Sequence, residues 1–250
     1  MYSDDDTAAL YDMVYPWDPA SRPSDAFYHD LVMAADSVLD VGCGTGSMLH
    51  YARDHGHVGR LVGLDPDPHM LGRAERRTDI TWVRGTAAEA DTHWRAEFAL
   101  ATMASNAFQC LVTDEELRRS LAAILNTLRP GGGFAFETRD PRARAWEQWN
   151  PSNFSELTDA AGRPLTSWHE VQAVLDDRVT FSEAIADPDG TVLRVDSTTL
   201  RFLDVVALRA FLTEAGFEIE AQYGDFRRGP STETSKTIVT IARRPASLET

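Results

Sequence analysis

One segment constrains the fold of this chain more than any other: a short apolar run that carries an acid and passes into three glycines at alternate positions. The run is 37–41, with Asp40 as its fourth residue, and Gly42, Gly44 and Gly46 follow. Such a run is typical of a buried parallel strand, and the residues after Gly46 favour a helix. Glycine allows a ligand to approach the backbone closely, which a Cβ would prevent. The segment therefore predicts a strand, a tight ligand-binding turn and a helix.

The alternation of strand and helix continues as far as residue 138. The predicted strands are 37–41, 59–64, 80–84, 97–103 and 133–138, and the predicted helices between them are 46–55, 68–76 and 114–128. Apolar strands that alternate with helices predict an α/β fold, with a doubly wound, mostly parallel sheet covered by helices on both faces. For the last of these helices, we expect Thr113 and Glu116 to form the N-terminal cap.

The pattern differs at the two flanks of this region. Before it, Thr7–Val14 and Ser24–Ala34 have helical spacing, with Ser24 as the expected N-cap of the second helix. After it, residues 168–203 alternate as a β-meander, and a helix at 205–215 precedes two more strands, 217–223 and 236–242. We therefore predict an N-terminal helical lid at 1–35, an α/β core at 36–139 and 204–250, and a β-rich insertion at 140–203.

Charge and composition restrict the partners of the chain. The net charge is -15 and Lys236 is the single lysine, whereas nucleic-acid binding needs clustered basic residues. No apolar run approaches the ~20 residues that span a membrane, and the acidic N-terminus lacks the features of a signal peptide. Two cysteines, Cys43 and Cys110, suggest no disulfide framework. We expect a cytoplasmic protein that binds neither nucleic acid nor membrane.

The glycine segment resembles motif I of the class I S-adenosylmethionine (SAM) dependent methyltransferases, (E/D)-x-G-x-G-x-G. The alternative is a dinucleotide-binding protein, whose fingerprint is G-x-G-x-x-G. The resemblance implies that Asp40 faces the cationic amino group of the cofactor's methionine part, where a pyrophosphate would be repelled.

Four further features are similar to the same family in the same order. Leu61–Asp65 is a second strand that ends in an acid, and Pro66 and Met70 follow it. The segment 83–89 is similar to the family's G-D-A segment, with Thr86 in place of the aspartate. The turn 128–132 is an L-x-P-G-G turn, and the last two strands are similar to the family's closing hairpin, whose seventh strand is antiparallel. The resemblance implies a SAM site, with S-adenosylhomocysteine (SAH) as product, formed by Asp40, Gly42, Cys43, Gly44, Gly46, Asp65, Pro66, Met70, Gly85, Thr86, Ala87 and Met103.

The segment after the fourth strand separates classes of methyl acceptor. Enzymes that methylate exocyclic amines of nucleic acids have a (D/N/S)-P-P-(Y/F) motif there, whereas this chain has Thr102–Gln109 without a Pro-Pro pair. The layout looks like the small-molecule methyltransferases of bacterial metabolism, including those that act on sugars and natural products. We expect N- or O-methylation of a small molecule. A SAM-fold enzyme that catalyses another reaction, such as a cyclisation, and a non-catalytic SAM-binding protein are the alternatives.

Candidate catalytic and acceptor-binding residues are few. His169 is the candidate general base, because its ordinary pKa near 6.5 suits neutral pH; a packed or surface histidine is the alternative. Tyr11 and Tyr15, four residues apart on one helical face, are expected to cover the site. The spacing of the histidines and cysteines predicts no metal site. The residues expected to contact the acceptor are Tyr11, Tyr15, Asn106, Gln109, Arg139 and Trp168.

Overall fold

The main element of the computed structural model, which describes residues 3–159 and 161–246, is a seven-stranded sheet. Its strands lie in the order β10-β11-β5-β4-β1-β2-β3, and β11 is antiparallel to both of its neighbours, β10 and β5. The strands are β1 Ser37–Val41, β2 Arg60–Asp65, β3 Thr81–Arg84, β4 Phe98–Met103, β5 Leu128–Arg139, β10 Glu218–Tyr223 and β11 Thr237–Arg243. This arrangement confirms the predicted α/β fold class, including its antiparallel last strand. The outermost parts of the predicted lid and core, 1–2 and 247–250, lie outside the described residues.

Helices cover both faces of this sheet. They are α1 Asp4–Val14, α2 Pro23–Ala34, α3 Ser47–Asp54, α4 Pro68–Ala74, α5 Ala90–His93, α6 Asp114–Thr127 and α7 Val205–Glu214. Helix α6 shows why they pack there: Leu117, Leu121 and Ile124 are all fully buried in the larger of the two cores that flank the sheet, as their spacing predicts. No helix among the described residues has the length and apolar character needed to cross a membrane.

Helix boundaries differ from the predicted ones where a local cap decides them. Helix α1 begins at Asp4, before the predicted Thr7, because Ser3 forms a capping box with Asp6. The N-cap of α2 is Arg22 and not Ser24, since Pro23 occupies the first helical position, which proline favours.

A second, four-stranded antiparallel sheet lies within residues 140–203. Its strands follow one another as a meander, β6 Ser155–Thr158, β7 Pro164–Leu175, β8 Arg178–Ala186 and β9 Val192–Arg201. The predicted meander from residue 168 missed β6 and the start of β7. Strand β6 is short and mostly exposed, so it lacks the apolar alternation by which strands are recognised. His169 pairs with Glu183 across β7 and β8.

Candidate functional site

The glycine loop lies at the carboxyl end of β1, between the sheet and α3. The Gly42 N–H donates to the Leu64 carbonyl at 2.7 Å and ties the loop to β2. Gly46 has a φ of +75°, and a Cβ there would overlap the ring of Trp82. Gly44 has a φ of +54°, and a Cβ there would meet no atom within 4 Å. Gly46 therefore serves packing, whereas Gly44 borders open space in which a ligand would touch the backbone.

Two buried acids adjoin this loop. Asp65 ends β2, and its carboxylate accepts from the Gly44 N–H at 2.7 Å and from the Asp67 N–H at 2.9 Å. Asp40 accepts from the Thr102 hydroxyl at 2.9 Å, and burial raises its pKa to about 7 despite that bond. Burial also raises the pKa of Asp65. A cationic ligand offsets the desolvation of such carboxylates, whereas a pyrophosphate would add to it. The donor set thus suits a sulfonium- and ammonium-bearing cofactor such as SAM.

Other predicted cofactor residues lie nearby, but several side chains are used for packing. Cys43 is buried against Leu71, Ala74 and Trp82. The side chains of Met103 and Ala87 belong to the larger hydrophobic core that flanks the sheet. Only their backbone N–H and C=O groups are therefore available to a cofactor.

The remaining predicted cofactor residues lie on the loops after β2 and β3. Pro66 is exposed and Met70 half-buried at the start of α4, and Gly85 is half-buried after β3. The Thr86 hydroxyl donates to the Glu89 carboxylate at 2.8 Å in a local capping box. The hydroxyl hydrogen of Thr86 is therefore used within the turn, and Thr86 lacks the carboxylate that the family's G-D-A segment has at this position.

Helix α1 crosses this region, and one contact that holds it there was not predicted. The Asp12 carboxylate accepts from the Arg73 guanidinium at 3.1 and 3.0 Å and from the Thr45 hydroxyl. Thr45 belongs to the glycine loop and Arg73 to α4. Asp12 thus holds α1 against the glycine loop and α4, two elements that carry predicted cofactor-binding residues. In the sequence, only the position of Asp12 next to Tyr11, a residue predicted to cover the site, pointed to a role for Asp12.

A cavity of about 510 Å³ lies between α1, the carboxyl edge of the large sheet and the second sheet. This volume suits a small organic molecule. Most of the predicted acceptor contacts line it, together with Glu183, which the sequence analysis did not single out. The alternation of Phe181, Glu183 and Ile185 on one strand face was the signal that could have found it. The lining includes Tyr11, Tyr15, Asn106, Arg139, His169 and Glu183.

Gln109 and Trp168 do not line this cavity, so the structure does not support them as acceptor contacts. The Gln109 side chain is buried, donates to the Arg201 carbonyl at 2.8 Å and accepts from the Arg139 N–H at 3.0 Å. It therefore positions the backbone of Arg139. Trp168 precedes His169 on β7, and successive side chains of a strand point to opposite faces. Because His169 faces the cavity, Trp168 lies on the other side of the sheet.

His169 and Glu183 form the polar centre of the second sheet's cavity face. The His169 Nε2 lies 3.9 Å from the Glu183 Oε1. Burial, and then the charge of Arg139, lowers the pKa of His169, so its ring is neutral at pH 7. Burial, and then Asp196, raises the pKa of Glu183. The pair combines a neutral imidazole with a carboxyl group in one small space.

Hydroxyl groups from α1 face the same space. The rings of Tyr11 and Tyr15 lie 5.1 Å apart, centroid to centroid. Burial raises the pKa of each to about 12, so both remain protonated hydrogen-bond donors. At the sheet edge, the Glu137 carboxylate accepts from the Tyr28 hydroxyl and from the Asn106 N–H, the latter at 2.6 Å. Glu137 thereby holds the loop after β4 at the cavity.

No group of three or more His, Cys, Asp or Glu side chains suited to a metal ion occurs within 3–159 and 161–246.

Comparison with known proteins bears on the identity of this site. Residues 38–132 match the methyltransferase domain family. The chain is 29% identical to a dTDP-3-amino-3,4,6-trideoxy-alpha-D-glucopyranose N,N-dimethyltransferase of Streptomyces venezuelae, over 90% of this chain and 94% of that protein. It is 27% identical to a trans-aconitate 2-methyltransferase of Shigella flexneri, over 83% and 86% of the two chains. The solved structure of the CcbJ methyltransferase from Streptomyces caelestis superposes with a TM-score of 0.75 at 20% identity, covering 98% of this chain and 100% of that one. The match of residues 38–132, together with the strand order and the acids Asp40 and Asp65, makes this chain similar to the SAM-dependent methyltransferases.

Proposed function

We propose that this enzyme transfers the methyl group of SAM to the amine nitrogen of a small molecule held in the 510 Å³ cavity. One observation carries the proposal: the cavity joins the carboxyl edge of the large sheet to the His169–Glu183 pair. A carboxylate attracts an amine substrate, and a neutral imidazole accepts the proton that the amine must lose. The similarity to an amino-sugar N,N-dimethyltransferase supports the same reaction class.

The cofactor would be held by the glycine loop and its two acids. The backbone of Gly44 borders open space and would contact the cofactor directly. The Asp65 carboxylate at the end of β2 would accept hydrogen bonds from the ribose hydroxyls, and the buried Asp40 carboxyl would face the ammonium group. When bound, SAM would supply a methyl group attached to a sulfonium, and this methyl group is transferred by in-line displacement. The other cofactor-binding residues that we propose contribute mainly backbone or apolar surface: Gly42, Cys43, Gly46, Pro66, Met70, Gly85, Thr86, Ala87 and Met103.

The chain contributes mainly orientation and proton transfer. Displacement requires the acceptor nitrogen to present its lone pair to the methyl carbon, and alignment in a closed cavity accounts for much of such catalysis. Glu183 would hold the amine, and His169 would remove its proton through Nε2. The Tyr11 and Tyr15 hydroxyls would donate to neighbouring oxygens of the acceptor. In this proposal residues 3–35 act as the lid, and residues 140–203 as the outer wall.

Methylation of a carboxylate oxygen is a second candidate, and Arg139 favours it. Its half-buried guanidinium faces the cavity and could hold a carboxylate acceptor. The trans-aconitate 2-methyltransferase relative shows that similarity at this level does not separate the two reactions. A methyl ester is cleaved by mild alkali, whereas an N-methyl group survives. The stability of the product in alkali therefore distinguishes N-methylation from methylation of a carboxylate.

The test begins with calorimetric titration of SAH into the folded protein. Asp65→Ala should abolish measurable binding, while Asp79→Ala, an exposed acid on the loop before β3, should leave it unchanged. Amines are then incubated with SAM, and products are followed by mass spectrometry, in which methylation adds 14 Da. If the folded wild-type protein did not bind SAH, the proposal would fail. SAM-dependent product of unchanged mass would instead support a cyclisation.

A further inference from the structure

Arg139 has an unusual environment for a guanidinium. It ends β5, is half-buried and lines the cavity. Its Nη1 lies 3.4 Å from the Gln109 Oε1, and its guanidinium carbon lies 5.3 Å from the centre of the Trp149 ring. Across the described ranges 3–159 and 161–246, it forms no ion pair within 4.0 Å. A desolvated guanidinium normally has a carboxylate partner.

The acid nearest to Arg139 along β5 is hydrogen-bonded to other residues. Glu137, two residues earlier on the same strand, accepts from Tyr28 and from the Asn106 N–H. Arg201 shows the contrasting arrangement: its guanidinium is buried against Asp177 and Asp114, both at 2.7 Å. The fold thus pairs Arg201 twice but leaves Arg139 facing the cavity.

A second guanidinium faces the same cavity. Arg22 is half-buried at the N-cap of α2 and lines the cavity. No ion pair to it occurs within the part of the chain that the structure describes. Arg22, Arg139 and Tyr15 line the same cavity, and the charges of both guanidiniums act on the Tyr15 hydroxyl. In a chain with 39 acidic and 24 basic residues, two cavity arginines that form no ion pair within 4.0 Å among the described residues are best explained by an anionic ligand.

We propose that the methyl acceptor carries an oxyanion, a carboxylate or a phosphate, which Arg139 binds with assistance from Arg22. This inference rests on the proposed function, because it describes another part of the same acceptor. Guanidinium donors pair with both oxyanions in a fixed planar geometry. The acceptor would thus be an amine with an anionic substituent, its nitrogen at His169 and Glu183 and its anion at Arg139.

Two simple anions serve as probes, and each represents one source of the oxyanion. Inorganic pyrophosphate and malonate are titrated separately into the protein with and without SAH, and heat is measured by calorimetry. We expect saturable binding of at least one probe, with a dissociation constant of about 1 mM. The tighter probe identifies the group that the site prefers. The high negative charge of the protein disfavours non-specific anion binding.

Arg139→Gln should weaken binding of that probe at least about tenfold, as expected when a charge-assisted pair is lost. The control is Arg144→Gln, which removes the same charge from an exposed side chain paired with Glu147 at 2.9 Å. It should bind the probe as the wild type does. Titration of SAH into each variant should give unchanged affinity, because Arg139 lies outside the proposed cofactor site.

Two outcomes would overturn the proposal: neither probe saturates, or Arg139→Gln binds the probe as tightly as the wild type. Because the anions are also titrated without SAH, the result can be read even if SAH does not bind. Failure of the wild type to bind SAH would refute the proposed function. Failure of the wild type to bind either anion, with SAH still bound, would refute only the proposed anion site at Arg139.

Discussion

The buried carboxyl group of Asp40 makes a prediction in which stability and ligand binding change in opposite directions. Burial raises the pKa of Asp40 from 3.8 to about 7, so the folded chain holds this proton more tightly than the unfolded chain. Stability is therefore lost as pH rises from about 4 to 7, and the loss is complete above pH 7. A difference of about three units corresponds to roughly 4 kcal/mol at pH 8.

Asp40→Asn removes this penalty and keeps the acceptor for the Thr102 hydroxyl. The new amide introduces two N–H donors into a buried site, at a cost of roughly 2 kcal/mol. The net expectation is a variant about 2 kcal/mol more stable than the wild type at pH 8. For a chain of this length, that gain corresponds to about 4–8 °C in Tm. At pH 4 the carboxyl is protonated in the folded wild type, so only the cost of the amide remains and the variant should be less stable than the wild type by roughly 2 kcal/mol.

Thermal unfolding of the unliganded proteins between pH 4 and 8 measures this effect. Asp189→Asn, which removes the same charge from an exposed hairpin turn, should gain no stability at pH 8. The more stable Asp40 variant should nevertheless bind SAH at least about tenfold more weakly, because it lacks the charge that faces the ammonium group. An Asp40→Asn protein no more stable than the wild type at pH 8 would refute the argument from desolvation.

Three other predictions test the cofactor loop, the lid and the general base. Gly44→Ala should abolish SAH binding measured by calorimetry, because the new Cβ would occupy the open space beside the loop. The control Gly131→Ala also has no atom within 4 Å of the new Cβ and has a φ of +78°, so it should bind SAH normally. Both variants should lose about 1 kcal/mol in free energy of unfolding. Asp12→Ala should speed SAH dissociation about fivefold in stopped-flow measurements, and the exposed control Asp30→Ala should not; equal rates would mean that Asp12 does not hold the lid. His169→Gln should lower kcat about 100-fold. In the wild type, the rate should fall as pH decreases through the lowered pKa of His169, and the variant should not show this fall. An unchanged pH profile in the variant would exclude this histidine as the base.

The large sheet was predictable because each of its strands carries a local signal. The run 37–41 and the segment Leu61–Asp65 are apolar, end near acids and are followed by turn residues, and the structure places both where expected. Element ends were less predictable, since single contacts decide them. The bond between Ser3 and Asp6 adds most of a turn to α1, although neither residue belongs to its apolar pattern.

The acceptor cavity was only partly predictable, because a strand pattern does not say which of its faces looks inward. His169 and Trp168 are neighbours on β7, and both faces of that strand mix polar with apolar residues. Only the packing of the second sheet over the cavity decides that His169 faces inward. Gln109 shows another limit: its amide spans Arg201 and Arg139, which are far apart in sequence, and no local pattern records such a bridge.

The seating of α1 has a consequence for the order of events in turnover. Its Asp12 is bonded to the glycine loop and to α4, while Tyr11 and Tyr15 form part of the acceptor cavity. One helix therefore contacts the glycine loop and α4 on one side and the proposed acceptor cavity on the other. Whatever displaces α1 to free the spent cofactor also opens the wall against the methylated product. We expect release of the two products to be kinetically coupled, with helix displacement as their common step.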